Sequence, residues 1–334
     1  MLPRKVLRFS THLSVVFLVW ALHSIWDTQY AASERQMFGV LFTLQVDRPA
    51  IGNNLLEFLS FLGVARQTGR SPMLPRDAYT RMSRFFKHSP HMLKGVGSGS
   101  SWYSELTVPS ANFNHECCIF ADPASYLSTS YYKYFTSVST TFTYAQSYKY
   151  FSSIPREEIL DRLQVDAETQ RIAMEELADP SLLNTTDHIV CLHTRRGDFV
   201  RSWMHMHSHI NNTIPALRAV MKKLSTKNVR VALMGADHSF LYHDVYPLLN
   251  DVDAFIVGYG KEYPPIAEWE FARRYCNTVI LTASASTFGW WIAFLSNATV
   301  YYNEDKSSSA AASWQSLPIR MMKMEWKKMS TVRM

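Results

Sequence analysis

Short apolar runs alternate with amphipathic stretches along most of the chain, and their periods predict strands and helices in turn. Phe38 to Val46 reads as a strand, followed by the turn Arg48-Pro49-Ala50-Ile51-Gly52-Asn53-Asn54 and an apolar helix from about Leu55 to Gln67. Gly69-Arg70-Ser71-Pro72 ends that helix, and Met73-Leu74-Pro75 begins the next extended piece. A strand, glycine turn, helix and strand in that order predict a parallel sheet with a ligand near its first turn. Tyr126 to Phe151 is crowded with Tyr, Phe, Ser and Thr, which suits β structure presenting an aromatic-lined surface. Apolar Ile159, Leu160, Leu163, Ile172, Met174 and Leu177 among charges make Glu157 to Ala178 a helical connector.

Beyond about His188 the same alternation resumes. Helices are expected at Ile214 to Leu224, around Phe240 to Leu249 and at Phe288 to Leu295. Between them fall strands at Val229 to Met234, Ala254 to Val257, Val279 to Thr282 and Thr299 to Tyr302. That order predicts a second, doubly wound sheet. Asp179-Pro180 and Asn184-Thr185-Thr186 break the pattern, which divides the body into an N-terminal α/β domain at 38–183 and a C-terminal one at 184–334. A cleft between two such domains is a favoured place for a ligand.

The first residues are of a different kind. Arg4, Lys5 and Arg8 precede an apolar stretch from Leu13 to Trp26, a charge order that predicts a cytosolic tail at 1–12 and the rest of the chain across a membrane. The stretch is short for a span and resembles a signal-peptide core, yet it ends in Ser24-Ile25-Trp26 rather than in small residues. An uncleaved signal anchor at 13–26 is therefore expected, with a stem at 27–37 and a lumenal body. Three sequons, at Asn184, Asn211 and Asn297, are the matching sites for N-glycosylation. Of the four cysteines, Cys117, Cys118, Cys191 and Cys276, none forms a CxxC or Cys/His pattern for zinc, and Cys191 inside an apolar strand is expected to be a core thiol.

With 334 residues, 47% of them hydrophobic, the chain has ample material for two packed cores. A formal charge of +6 suits a phosphate-bearing ligand or an anionic membrane surface, while the absence of a basic tract argues against nucleic acid as a partner.

The chemistry concentrates where strands end. Ile189-Val190-Cys191-Leu192 runs into His193-Thr194-Arg195-Arg196-Gly197-Asp198, so a buried strand delivers two guanidinium forks to the edge of a sheet. Arginine stays charged at any working pH and fits two phosphate oxygens at once. Thr282-Ala283-Ser284-Ala285-Ser286-Thr287-Phe288-Gly289-Trp290-Trp291 closes another strand and opens a helix, a setting that makes an anion site of backbone N–H groups and hydroxyls. Period-two alternation puts His193 on the face of Arg195.

These two stretches, with the Gly52-Asn53 turn and Tyr144-Ala145-Gln146-Ser147-Tyr148-Lys149-Tyr150-Phe151, resemble the alpha-1,2-fucosyltransferases, glycosyltransferase family eleven, in their nematode-type expansion. The likeness runs discontinuously from about Phe38 to Tyr302. It implies a GT-B-like α/β fold of two Rossmann-type domains with parallel sheets, the N-terminal one facing the acceptor and the C-terminal one binding GDP-fucose. It also implies inverting transfer of L-fucose to a sugar hydroxyl, the 2-OH of galactose, on a glycoprotein or glycolipid, with no cofactor or divalent metal, by a single-pass type II protein of the Golgi membrane. By the same analogy His193, Arg195, Arg196, Ser286 and Thr287 bind the donor, with the arginines neutralising the leaving diphosphate. Asp198 orients an arginine, and Glu268, where the family carries an acidic residue, is a candidate for the base that the acceptor hydroxyl needs, for a contact to the donor ribose, or for a structural role. Asn53 and Gln146 are candidates to line the cleft. Ala50 departs from the pattern, since the family has glycine two positions before Gly52. The alternative is a non-catalytic sugar-nucleotide or glycan-binding member of the same fold.

Three weaker motifs fall outside this set. Met204-His205-Met206-His207-Ser208-His209 alternates histidines as a metal site might, but is expected to be a polar loop at the acceptor edge. Asp251-Val252-Asp253 is expected to be solvated, and Gly95-Val96-Gly97-Ser98-Gly99 lacks the Lys-Ser/Thr of a phosphate cradle and reads as a mobile loop.

Overall fold

The computed structural model describes residues 35–41, 51–99, 110, 120–127, 129, 135, 137–142, 145–177, 186–202, 205–224, 228–303 and 327–329. The expected tail, anchor and most of the stem, together with Cys117, Cys118 and Asn184, lie outside the described residues. Among those described, no helix is long and apolar enough to cross a membrane.

Two parallel sheets organise the chain. The first contains β1 (Gln36–Val40), β2 (Ser71–Pro75), β3 (Gly97–Gly99) and β4 (Ser137–Thr141) in the order β3-β2-β1-β4. The second contains β5 (His188–His193), β6 (Val229–Met234), β7 (Asp253–Ile256), β8 (Thr278–Leu281), β9 (Thr299–Asn303) and β10 (Lys327–Met329), ordered β10-β9-β8-β5-β6-β7. Every strand pair is parallel. In each sheet the first strand lies inside, so the winding reverses beside it, between β1 and β4 and between β5 and β8.

Strand β5 reads as an unbroken apolar run because both its faces are buried. Ile189 and Cys191 join the large core that extends into the first sheet, while Val190 and Leu192 join a separate core with Leu217, Val231 and Leu233. In the first half, α1 (Ile51–Gln67) is apolar on nearly every side and correspondingly buried from Asn54 to Ala65, whereas α2 (Arg76–Phe85) after β2 and the single-turn α7 (His238–Phe240) after β6 are only partly buried. It ends at Gly69, whose φ of +61° lets Arg70 N–H return to the Ala65 carbonyl at 2.9 Å.

Several expectations are corrected. The Gly52-Asn53-Asn54 segment is the first turn of α1, whose N–H groups need no intrahelical acceptor, so the helix starts at Ile51. From Tyr126 to Phe151 the only described strand is β4, flanked by α3 (Pro123–Leu127) and a 3-10 turn at Tyr148–Tyr150. Phe142, Tyr150 and Phe151 are core residues, not a surface. Gly97–Gly99 is the edge strand β3; a Cβ at Gly99 would sit 2.7 Å from Phe38, so glycine is what lets this backbone lie under the neighbouring side chains. The connector is broken into α4 (Arg156–Arg162), α5 (Ala167–Arg171) and a π turn at Ile172–Glu176, because the Asp166 carboxylate restarts the helix by accepting from Thr169 N–H at 2.8 Å.

Cys191 is not a free thiol. Cys276 ends α8 (Ile266–Tyr275) just before β8, which pairs with β5, and the two Cα atoms stand 5.7 Å apart, joined by a disulfide.

Candidate active site

In a doubly wound sheet, ligands bind off the carboxyl ends of the strands at the reversal of winding. For the second sheet that place lies beyond His193 and Leu281, and polar groups from both strand ends meet there. Thr282 donates its N–H (3.2 Å) and its hydroxyl (2.9 Å) to the His193 carbonyl, and its oxygen lies 2.7 Å from Ser208 Oγ. Ser208 in turn holds the start of the arginine segment: its Oγ accepts from Arg195 N–H at 2.8 Å and its N–H donates to the Arg195 carbonyl at 2.9 Å.

The two arginines have different surroundings. Arg196 donates from Nε to Asp237 at 3.0 Å and from one amino group to the Ser208 carbonyl at 2.9 Å, and it lies 4.2 Å over the Phe240 ring. Three contacts fix its plane. Arg195 is the more open, with 35% of its side chain exposed against 21% for Arg196. It donates to the exposed Asp198 at 2.7 Å and lies over Phe199 at 5.2 Å, while its Nε is buried without a partner. Arg195 and Asp198 thus form an i, i+3 ion pair at the start of the loop.

His193 follows Ile189 and Cys191 on the strand face that packs against α9 (Thr287–Leu295). A Cβ at Gly289 would come 2.7 Å from its Nδ1, so the helix and the imidazole fit only because that position is glycine. Burial, then the charge of Arg195, pushes the imidazole down to about 3, and its Nδ1 has no partner in the protein. A neutral ring with one buried, unpartnered nitrogen results.

Ser286 caps α9, its Oγ accepting from Gly289 N–H at 3.2 Å. Thr287 stands at the seam between the halves: a Cβ on Gly52 would lie 2.7 Å from Thr287 Oγ1 and 2.9 Å from Phe288 N. The start of α1 thus lies directly on the start of α9. The role of Gly52 is this approach of protein to protein. Asn53, partly exposed in the first turn of α1, and Gln146, buried just after β4, both occupy the carboxyl edge of the first sheet at its own reversal. Next to Gln146, the Ala145 carbonyl accepts from Ser60 Oγ at 2.6 Å.

Glu268 lies in the first turn of α8, on the carboxyl side of β7, and its neighbour Trp269 packs on Phe288 with ring centroids 5.2 Å apart. Burial raises its pKa to about 7 against the lowering effect of Tyr263, whose hydroxyl donates to Oε1 at 2.8 Å. Oε2 is buried and unpartnered. Burial and the adjacent carboxylate push the Tyr263 phenol up in turn, so it remains a donor.

The other motifs resolve differently. His205 is half-buried against Phe199 (4.7 Å), and His209 accepts from Asn211 N–H at the start of α6 (Ile210–Met221) at 3.2 Å, so these histidines serve separate local structures. No three His, Cys, Asp or Glu side chains are grouped as metal ligands among the described residues. Asp251 and Asp253 are not merely solvated: each holds an arginine, Arg218 and Arg230 respectively, at 2.7 Å. Asn211 and Asn297 are exposed.

Ser208, Asp237 and Tyr263 complete the site beyond the residues given a role by sequence, and Thr282, at the head of its stretch, ties it together. Asp237 follows the end of β6 just as the arginines follow β5, and that parallel position was the signal available for it.

Cations, hydroxyls and a helix start meet at the reversal of a parallel sheet in this α/β protein, a setting in which anionic groups are readily held. Residues 120–329 match the model of glycosyl transferase family 11, and the chain belongs to that family. Among its relatives in Caenorhabditis elegans are a candidate galactoside 2-alpha-L-fucosyltransferase, svh-11, 27% identical over 77% of this chain and 69% of its own length, and a galactoside 2-alpha-L-fucosyltransferase, 24% identical over 84% and 74%. The crystal structure of fucosyltransferase NodZ from Bradyrhizobium aligns with 79% of this chain and 93% of its own at 18% identity and a TM-score of 0.47.

Proposed function

We propose that the protein transfers L-fucose from GDP-fucose to a hydroxyl of a glycan acceptor, the 2-OH of galactose, with inversion and without a metal. The observation that carries this reading is the fixed Arg196 and the more open Arg195 beside the capped start of α9, at the reversal of the second sheet. The acceptor oxygen attacks the anomeric carbon as the bond to the diphosphate breaks, and the leaving oxygens gather charge. Arg195 meets that charge directly, Arg196 holds the loop in place, and Ser286 and Thr287 offer hydroxyls beside the N–H groups of the first turn of α9. His193, neutral and buried, lies beneath as a hydrogen-bonding wall for the donor.

The proton of the attacking hydroxyl needs a base. Asp198 and Asp237 are engaged with arginines, whereas Glu268 keeps an unpartnered oxygen and titrates near neutrality. Glu268 is the carboxylate this reading assigns to the proton. Facing carboxyl edges, joined at Gly52 and Thr287, support a GT-B-like cleft in which Asn53 and Gln146 contact the acceptor. The Cys191–Cys276 bridge supports a lumenal, oxidising location, in keeping with the basic and apolar N-terminal pattern of a type II Golgi protein.

The test is GDP release from GDP-fucose with galactose-terminated acceptors in EDTA, with linkage analysis of the product. Fucosylated product that disappears in Arg195→Ala, with the fold intact by circular dichroism, is expected. Tight binding of GDP-fucose with no transfer to any acceptor would instead make the protein a binding module.

A further inference from the structure

A cavity of about 480 Å³ lies between the connector helices and the face of α8 that carries Ile266, Trp269, Glu270 and Arg273. It reaches the carboxyl end of α9 at Leu295 and Asn297, nine helical residues from the Ser286 cap, or about 13 Å along the axis. Its volume falls within the roughly 300–1,000 Å³ of pockets that enclose small ligands. The chemistry of its walls is mixed in a particular way. Leu163, Ile266 and Leu295 offer aliphatic surface, Gln164 offers an amide, and the two lining arginines are engaged, Arg273 with Glu270 and Arg156 with backbone carbonyls, so the space suits a neutral, hydroxyl-rich occupant rather than an anion. Trp269 also forms part of the wall, and its buried indole N–H has no acceptor in the protein.

Asn297 stands on the rim of this space, exposed, and it is the acceptor of the sequon Asn297-Ala298-Thr299. Its stem is held in place. Arg156, another lining residue, donates from one amino group to the carbonyls of Phe294, Leu295 and Ser296 at 3.1 to 3.3 Å. We propose that the N-glycan carried by Asn297 folds back into this cavity, so that its first sugar rings form a built-in wedge between the connector and α8. Sugars present an aliphatic face and a hydroxyl edge, matching the two kinds of wall, and the covalent tether removes most of the association entropy that a free oligosaccharide would lose. Asn211 supplies a contrast within the same molecule: it is exposed in the first turn of α6 and is not among the residues that line this cavity. The inference rests on the lumenal placement proposed above.

The experiment expresses the full chain in a glycosylating eukaryotic host and follows site-resolved release of glycans by PNGase F under native conditions. The expected result is that the Asn297 glycan leaves at least tenfold more slowly than the Asn211 glycan, with the difference abolished on denaturation. Gln164→Trp, at an exposed wall position, should crowd the cavity and bring the native rate at Asn297 up to that at Asn211. Equal native rates in the unaltered protein, or an unmodified Asn297 beside a modified Asn211, would overturn the cavity proposal alone. Absence of glycan at every sequon would overturn the lumenal placement and this inference with it.

Discussion

Trp291 donates its indole N–H to the backbone carbonyl of Gly52 at 3.1 Å, across 239 residues of sequence. The bond is buried, and beside it Trp290 and Trp291 pack against Phe151 of the first half, with ring centroids 6.4 Å apart in both pairs. The two halves are therefore keyed together at the point where their helix starts meet. Gly52→Ala should force α1 off α9 and cost about 1–3 kcal/mol. Trp291→Phe removes the indole donor that the Gly52 carbonyl holds in addition to its intrahelical bond, at a further cost of about 0.5–1.5 kcal/mol. Urea unfolding measures both, and midpoints equal to that of the parent protein would contradict the keyed seam.

Arg196 and Asp237 should behave as one unit. Arg196→Lys keeps the charge and loses the fork and the stacking on Phe240, while Asp237→Asn keeps the shape and loses the charge. Each change removes about 1.5–3 kcal/mol of charge-assisted bonding, which corresponds to roughly 10–100-fold in kcat/KM if the loop must be held for catalysis. The double variant should lose no more than about the larger single effect. Full additivity would mean that the pair does not act together.

The pH dependence separates Glu268 from His193. Glu268 titrates near 7 in the folded chain against an ordinary value of 4.5, so its contribution to stability is fully present below 4.5 and is lost as pH rises through 7. His193 is depressed from 6.5 to about 3, so its contribution is present above 6.5 and declines as pH falls toward 3. Glu268→Gln should therefore remove a fall in stability as pH rises from about 4.5 to 7, and His193→Gln a fall as pH drops from 6.5 toward 3. In activity, Glu268→Gln should lower kcat by about 10²–10⁴ with little change in donor KM, and should erase a rise in kcat centred near pH 7. A retained rise would assign the base to another group.

The disulfide should matter for stability. Closing a loop across 85 residues restricts the unfolded chain by an amount worth about 4.5 kcal/mol in the chain-entropy description. The Cys191→Ala, Cys276→Ala double variant should melt several degrees lower by calorimetry, and an unchanged Tm would show that the bridge carries no load.

Much of this structure was legible where one segment contains its own reason. Strand β5, buried on both faces, shows itself as a continuous apolar run, and Ser286 announces the start of α9 by the capping chemistry of its side chain. The arginine pair was visible for the same reason. What stayed hidden depends on strand order. Asp237 reaches Arg196 across 41 residues because β6 lies beside β5, and Ser208 meets Thr282 across 74 because β8 lies on the other side. Glycine-rich β3 has too few side chains to show a period, and Ser208 was masked by the histidines around it.

The bridge between Cys191 and Cys276 closes the segment that carries most of the candidate site's charged groups into a covalent ring. His193, Arg195, Arg196, Asp198, Ser208, Asp237, Tyr263 and Glu268 all fall between its two ends. A protease that nicks the chain once inside that span leaves both fragments attached, so the cut is silent on a non-reducing gel and becomes visible only when the thiols are freed.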